Sequence, residues 1–329
     1  MAHQCDFTPA LCSIFLYLTL VCIWIAQPSI SACNFPDFLQ TNSSDRDWQG
    51  RIKDQGTEVT YTINISATIV QFTTTDSTAT SYRRACVTAY GDKYLVYHEE
   101  QGQNGAQYTC MQFVLRSDNV LQIKEAPVGK SMNRKICNDN KLVLNPWLIM
   151  DMNHVTDDTK AIPLQGGFSM LIFDKRTNRG VCDGYQGQTR MESECVHGEG
   201  LMFHFRYSHC VPHDLYMYRE QRTLCLAHWQ EGSYTFALLR HDESAQYMWI
   251  LRFHTNVGDT DHMVLFSDLV ADTDVRVAET NRFMRLDVVR DTPRPAYALC
   301  VDDYEVCTNR RNPCEDEAMA MLCPRTCGE

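Results

Sequence analysis

The cysteines of this chain are numerous and clustered, which indicates disulfide chemistry. Of 16 cysteines, three (Cys5, Cys12 and Cys22) lie in an apolar N-terminal stretch, which leaves 16 − 3 = 13. Thiols at this density pair into disulfides in an oxidising compartment. They cluster along the chain, which predicts three units, each cross-linked within itself; four cysteines allow three pairings. The groups are Cys33, Cys86, Cys110 and Cys137; Cys182, Cys195, Cys210 and Cys225; and Cys300, Cys307, Cys314, Cys323 and Cys327.

Three histidines within ten residues, His204, His209 and His213, come nearest to a metal-ligand cluster. Imidazole nitrogens bind zinc and copper, but this spacing matches no familiar ligand pattern, and Cys210 among them is expected to be oxidised. The sequence has no His-Glu-x-x-His zinc motif, no Gly-x-Ser-x-Gly hydrolase elbow and no phosphate-binding glycine loop. Paired acidic residues are interpreted as solvated surface. We therefore predict no enzymatic activity, no metal and no cofactor.

The N-terminus predicts export from the cytosol. Ala10 to Ala26 is almost entirely apolar, and small residues follow it up to Ala32. This pattern is typical of a signal peptide over 1–32, with an uncleaved signal anchor as the alternative because no Lys or Arg precedes the apolar run. Beyond Ala32 charges interrupt every long stretch, so no further span is expected. Asn42 and Asn64 begin N-glycosylation motifs. The prediction is a secreted glycoprotein.

The net charge of −11, from 41 acidic and 30 basic residues, argues against some partners. Binding a phosphate backbone requires a basic surface, so a nucleic-acid partner is excluded. An anionic membrane surface is disfavoured for the same reason. An extracellular protein or glycan is the partner expected instead.

Short extended segments dominate the pattern along the chain. The stretch 58–75 (EVTYTINISATIVQFTTT) is rich in Thr, Val, Ile, Tyr and Phe, which favour strands. Helical periodicity is absent until the tail. The fold class predicted is mainly β, with two disulfide-stapled antiparallel sandwich-like or barrel-like units and a small helical C-terminal module. The domains predicted after the signal peptide are 33–145, 163–292 and 299–329.

A weak internal repeat relates the two β units. Cys86-Val87-Thr88-Ala89-Tyr90 aligns with Cys225-Leu226-Ala227-His228-Trp229 at an offset of 139, and Ala106-Gln107-Tyr108 recurs as Ala245-Gln246-Tyr247 at the same offset. In this alignment Trp249 of the second unit corresponds to Cys110 of the first. It allows a Cys86–Cys110 bridge between neighbouring strands and directs Cys225 to another partner, for which Cys210 is one candidate.

The C-terminal segment CVDDYEVCTNRRNPCEDEAMAMLCPRTCGE resembles the ShK toxin-type (ShKT, six-cysteine) domain. The likeness lies in Cys-x-Asp at Cys300, two middle cysteines, Met319 before Cys323, and a closing Cys-x-x-x-Cys-Gly. The resemblance implies a small helical module with Cys307 paired to Cys323 and Cys314 paired to Cys327. The sixth cysteine of the family would follow Glu329, which leaves Cys300 free, intermolecular or without its partner. The stretch 315–321 is acidic and lacks the Lys-Tyr pair of channel blockers, so channel block is not expected.

Segments of the body, from Cys33, Cys182, Gly198 and Arg222, resemble uncharacterised secreted or membrane-tethered cysteine-rich invertebrate proteins. That resemblance implies a domain division but no activity. Trp48 in Asp47-Trp48-Gln49-Gly50 is similar to the first-strand tryptophan of lipocalins, which implies that it lines a barrel. Two functions are therefore expected: a non-enzymatic extracellular interaction or matrix protein, or a lipocalin-like carrier of a small ligand.

Overall fold

Strands dominate the described part of this computed structural model. The described residues are 33–41, 45–54, 57–74, 80–102, 105–142, 144–155, 159–174, 179–181, 189–194, 198–205, 210–212, 217–242, 248–258, 260–266 and 283–290. The first group of strands is β1 (Trp48–Asp54), β2 (Thr57–Ile65), β3 (Ile69–Thr74), β4 (Tyr82–Tyr90), β5 (Lys93–Glu100), β6 (Gln107–Ser117), β7 (Val120–Glu125) and β8 (Leu144–Asp151). The second group is β9 (Gly166–Asp174), β10 (Arg179–Gly180), β11 (Thr189–Ser193), β12 (Leu201–Phe205), β13 (Glu220–Glu231), β14 (Tyr234–His241), β15 (Met248–His254), β16 (Thr260–Phe266) and β17 (Phe283–Arg290). Short 3-10 helices are η1 (Asp37–Leu39), η2 (Arg134–Cys137) and η3 (Asp139–Lys141).

Strands β1 to β8 form a closed antiparallel barrel, hereafter barrel 1, in which each strand pairs with the next and β8 returns to β1. Strand β2 shows the pattern that a closed barrel requires: Val59, Tyr61 and Ile63 are buried, whereas Thr60 and Thr62 between them are exposed. This period-two pattern places one face of every strand inside the barrel. Closure leaves no unpaired edge strand, which an open sandwich would have.

Strands β9 and β11 to β17 form a second closed eight-stranded barrel, hereafter barrel 2, because β17 pairs with β9 along Met284 to Arg290. The short strand β10 is added beside β9. Large apolar side chains fill the interior, including Phe168, Phe203 and Trp249, together with several methionines. Methionine is flexible enough to fill irregular gaps in a core.

The two barrels are repeats of one design. Strand β4 is the fourth strand of barrel 1 and β13 is the fourth of barrel 2, and each is interrupted by a bulge, between Cys86 and Thr88 and between Cys225 and Ala227. These positions have the offset of 139 found in the sequence. In barrel 1 Cys86 pairs with Val96, and Val96 pairs with Thr109 on the next strand. In barrel 2 Cys225 pairs with Leu239, and Leu239 pairs with Trp249.

Trp249 in barrel 2 is therefore structurally equivalent to Thr109 in barrel 1. The ungapped sequence alignment, which made it equivalent to Cys110, was wrong by one residue. The β13–β14 hairpin turns at Gly232-Ser233, and the β4–β5 hairpin turns at Gly91-Asp92. The strands of the β13–β14 hairpin extend further past the bulge, so the sequence offset between the two repeats changes after the turn. Trp249 packs inside barrel 2.

The N-terminal segment closes one end of barrel 1. Phe35 and Leu39 are buried with the interior residues, and the Trp48 indole N–H donates to the carbonyl of Leu39 at 3.0 Å. The Arg46 guanidinium lies 5.1 Å from the centre of the Trp48 ring. Trp48 is fully buried in the barrel, as the resemblance to lipocalins implied.

The barrels pack side by side through their outer faces. Val120, Leu148 and Met150 of barrel 1 join Leu226 and Phe236 of barrel 2 in one apolar cluster. At its border Arg116 of β6 pairs with Glu231 of β13 and lies over the Trp229 ring at 4.8 Å. Burial lowers the pKa of Arg116, and the nearby Glu231 carboxylate opposes that shift.

Two disulfides stabilise barrel 1, and they differ from the predicted bridge. Cys33 pairs with Cys86, and Cys110 pairs with Cys137. The expected Cys86–Cys110 bridge is wrong because Cys86 faces the interior with the N-terminal segment, whereas Cys110 packs on the outer face. The first disulfide anchors the N-terminal segment, and the second holds the β7–β8 connection against the outside of the barrel.

The cysteines of the second unit follow a different pattern. Cys225 is buried and carries a free thiol, so its predicted disulfide, with Cys210 or otherwise, is wrong. Cys210 is disulfide-bonded, and both Cys182 and Cys195 lie outside the described residues. Burial in the apolar interior raises the pKa of Cys225 to about 12, which makes the thiol unreactive.

The mainly β prediction is confirmed, and the two units are barrels. The predicted helical C-terminal module is not supported: its residues 299–329, including Cys300, Cys307, Cys314, Cys323 and Cys327, lie outside the described part of the chain, as does 1–32. Strand β8 runs across the predicted boundary at 145. Among the described residues no helix is long and apolar enough to cross a membrane.

Candidate functional site: a charged cluster inside barrel 1

The interior of barrel 1 carries charged side chains at the end opposite η1. Hairpins β2–β3, β4–β5 and β6–β7 turn at the end that η1 closes, so the start of β4 and the last residues of β5 and β7 lie at the other end. Arg84 on β4, His98 and Glu100 on β5, and Glu125 on β7 occupy those positions. Arg84 is 5% exposed and His98 is 6% exposed. We call these four residues the charged cluster.

Arg84 and Glu125 form an ion pair across the barrel interior. Arg84 Nη1 lies 2.8 Å from Glu125 Oε1, and Arg84 Nη2 donates to Glu125 Oε2 at 3.3 Å. The two residues belong to β4 and β7, which are not neighbours in the barrel, so the pair spans its interior. Burial raises the pKa of Glu125, and the positive charge of Arg84 acts in the opposite direction.

His98 sits directly across the β4–β5 ladder from Arg84. Its Nε2 lies 3.4 Å from Glu100 Oε2, and its Nδ1 is buried without a hydrogen-bond partner among the described residues. Burial lowers the pKa of His98, the charge of Arg84 lowers it further, and Glu100 opposes both. The imidazole is therefore held neutral near pH 7.

Aromatic rings form the wall next to the charged cluster. The Arg84 guanidinium lies 5.1 Å from the Tyr82 ring centre and 5.8 Å from the Phe72 ring centre, distances at which a cation is attracted to a π face. Tyr82 stacks on Phe72 at 4.4 Å, with Tyr61 5.8 Å away. Tyr82 is partly exposed, and Glu100 has a 27% exposed side chain, so the cluster reaches solvent.

Barrel 2 shows what the same ladder positions hold without the ion pair. The ladder that joins Arg84 to His98 joins Thr223 to His241 in barrel 2. The position of Glu125, opposite Met111, is taken by Leu265, opposite Leu251. The histidine is thus shared, whereas threonine and leucine replace the arginine and the glutamate.

The other sequence-predicted candidates do not assemble into a site. His204 is buried on β12 with its Nε2 3.7 Å from Glu192 Oε2, and His209 and His213 lie outside the described residues. Within the described stretches no group of three or more His, Cys, Asp or Glu residues could hold a metal ion. Asn64 is exposed on β2, where its Oδ1 accepts from Thr41 Oγ1 at 2.7 Å; Asn42 is not described.

Sequence reasoning missed the charged cluster. One signal was available: Tyr82, Arg84 and Cys86 alternate along one strand, so a charge stands at an inward position between an aromatic and a disulfide cysteine. The partner was beyond reach, because Glu125 lies 41 residues further on and only barrel closure brings the two together.

Comparison with known proteins bears on the first barrel. Residues 29–149 match a family model described as "Domain of unknown function (DUF7043)". The matched range covers the N-terminal segment and nearly all of barrel 1, so that family domain corresponds to barrel 1 with its closing segment. No curated protein and no solved structure matches the chain.

The predicted ShKT resemblance is wrong, and so is the wider resemblance of the body to cysteine-rich invertebrate proteins, because DUF7043 is the family found and no ShK toxin-type family matches. The physical reason is that short cysteine spacings carry little information. In a cysteine-rich chain many disulfide frameworks share a few of the same intervals.

Proposed function

We propose that this chain is an extracellular, non-enzymatic binding protein whose first barrel carries a small ligand. Two disulfides support the extracellular setting, since such bonds persist in oxidising compartments. An eight-stranded closed barrel has an interior that side chains fill or that holds one small ligand. The proposal thus favours the lipocalin-like alternative over a protein or glycan partner.

The Arg84–Glu125 pair is the observation that carries the proposal. A buried ion pair is weak evidence of stability, because removing two charges from water costs free energy that their attraction barely returns. Barrel 2 builds the same fold with Thr223 and Leu265 at these positions. The fold therefore does not require the pair, and charged groups retained inside a barrel favour a binding role.

Replacing Arg84 with Thr and Glu125 with Leu tests this function, since the double variant gives barrel 1 the residues of barrel 2. The full chain is incubated with a pool of small apolar acids, alcohols and amines and is then separated from unbound compounds. Native mass spectrometry measures the mass of the protein and of any compound bound to it. We expect the wild type to retain one equivalent and the double variant to retain none. The matched control is Arg83→Thr with Glu99→Gln, which alters an exposed ion pair on the outer face of the same strands. Equal retention by the double variant and the wild type would overturn the proposal.

A further inference from the structure

Two buried nitrogens of the charged cluster, Arg84 Nε and His98 Nδ1, have neither a hydrogen bond nor an ion pair among the described residues. Arg84 Nη2 donates to Glu125 Oε2, and Nη1 contacts Oε1 as an ion pair without a hydrogen bond, while Nε has neither kind of partner among the described residues. His98 uses Nε2 on Glu100, while its Nδ1 has none either. Leaving a buried polar group unpaired costs about 1–3 kcal/mol, and folded proteins rarely do so. Both nitrogens belong to residues directly opposite on β4 and β5, so one ligand group can reach both.

Guanidinium geometry selects the kind of group. Arginine presents a planar fork that matches a carboxylate, and Glu125 already occupies the edge formed by the two terminal nitrogens. The Nε edge remains for a second carboxylate. Tyr82 and Phe72 beside it suit an apolar or aromatic body. An ammonium group has only N–H donors and cannot accept from Arg84 Nε, so this edge of the guanidinium does not select amines.

Charge balance sets a second condition. The charged cluster holds one guanidinium, that of Arg84, and two carboxyl groups, those of Glu125 and Glu100. A ligand carboxylate adds a further negative charge to this site, which is costly unless a proton enters with it. His98, which is neutral in the free protein, can take that proton at Nδ1 and donate it to the ligand carboxylate. Its Nε2–H continues to donate to Glu100 Oε2. The Tyr82 ring centre lies 5.5 Å from that of His98, and the charges of Arg84 and Glu100 act on the imidazole. Glu125 contacts Arg84, and Tyr61 contacts Tyr82.

We propose that barrel 1 takes small organic acids, whose carboxylate accepts from Arg84 Nε and His98 Nδ1 while His98 takes up one proton. This inference rests on the proposed carrier function and adds its ligand class. It predicts a preference for the charged head group and a pH dependence of affinity, with tighter binding as the pH falls from neutral. Each proton linked to binding changes affinity by up to about tenfold per pH unit.

Isothermal titration calorimetry of the full chain with four probes of equal body tests the ligand class. The probes are 4-phenylbutyrate, its methyl ester, 4-phenylbutanol and 4-phenylbutylamine. We expect the acid to bind roughly ten to one hundred times more tightly than the other three, the range of a charge-assisted hydrogen bond. Equal binding of the ester or alcohol, or tighter binding of the amine, would overturn the acid class and leave the carrier function standing. Binding of none of the four would overturn both.

Variants then assign the roles. Repeating the titration in buffers of different ionisation enthalpy should show about one proton taken up per acid bound. His98→Asn should abolish the uptake and flatten the pH dependence, which a merely structural histidine would not do. Arg84→Thr with Glu125→Leu should lose binding of the acid, and this double variant leaves no unpaired buried carboxylate. Arg83→Thr, the exposed neighbour, is the control and should match the wild type. An unchanged proton count in His98→Asn would contradict the assignment.

Discussion

The two barrels share strand order, closure and a bulge in the fourth strand, yet they fill matched interior positions with different chemistry. Barrel 1 has Arg84 and Glu125 where barrel 2 has Thr223 and Leu265. Barrel 1 also has two disulfides, one of them through Cys86, whereas the matching Cys225 is a free buried thiol. Because both barrels close, the ion pair and the Cys86 disulfide, which only barrel 1 has at these positions, are not required for closure.

Removing one partner of the buried ion pair should give the largest loss of stability. Arg84→Met leaves Glu125 buried without its counter-charge, and breaking such a pair typically costs about 3–5 kcal/mol. Adding Glu125→Leu should recover most of that loss, since it removes the unpaired carboxylate and barrel 2 closes with leucine at the matched position. Urea unfolding of both variants measures the difference.

Arg83→Met provides the matched control for that experiment. Its partner Glu99 is 44% exposed, and exposed pairs contribute about 0–1 kcal/mol. If the single Arg84 variant were no less stable than this control, the pair would not be a buried charge pair in solution and the contrast between the barrels would disappear.

The disulfide through Cys86 should give the next largest effect, confined to barrel 1. Cys33→Ala with Cys86→Ala opens a cross-link of sequence separation 53 and releases the segment that closes the barrel, which should cost about 2–4 kcal/mol. At the matching position Cys225→Val should cost less than about 1.5 kcal/mol, since valine conserves volume in an apolar core. Thermal unfolding followed by tryptophan fluorescence compares the two. A Cys225→Val variant as unstable as the disulfide variant would mean that the thiol has a role its packing does not show.

This comparison also shows how far the sequence could predict the molecule. The alternation in β2 and the repeat at Cys86 and Cys225 predicted two β units of one design, because both signals are local. The pairing of Cys110 with Cys137 was not predictable, since it depends on the face to which Cys110 points after the bulge. The charged cluster stayed hidden for a related reason: its members meet through barrel closure, which no local pattern encodes.

The border between the barrels should give a smaller effect. Glu231 accepts from Arg116 and lies 3.2 Å from Lys124 Nζ, so it links β13 to β6 and β7. Glu231→Gln should cost about 1–2 kcal/mol, because it weakens two charge-assisted contacts at a half-buried site. Calorimetry should then show the unfolding of barrel 1 begin to separate from that of barrel 2. Glu99→Gln serves as the exposed control, and a single unchanged transition in Glu231→Gln would show that the apolar cluster alone couples the barrels.

The smallest expected effect is a pH dependence that belongs to barrel 1. The folded state lowers the pKa of His98 below its ordinary value near 6.5, chiefly through burial. Its contribution to stability is therefore fully present above about pH 6.5 and is lost as the pH falls through the folded pKa. Glu125 acts with the opposite sign: its pKa is raised above about 4.5, so its contribution is present below that value and is lost as the pH rises through the folded pKa. Replacing His98 with Asn should reduce the loss of stability between pH 7 and pH 5, measured by urea unfolding, and Arg83→Met should keep the wild-type slope. A variant that loses stability on acidification as steeply as the wild type would place the pH sensitivity outside the charged cluster, and the difference between the barrels would then be one of charge pairing alone.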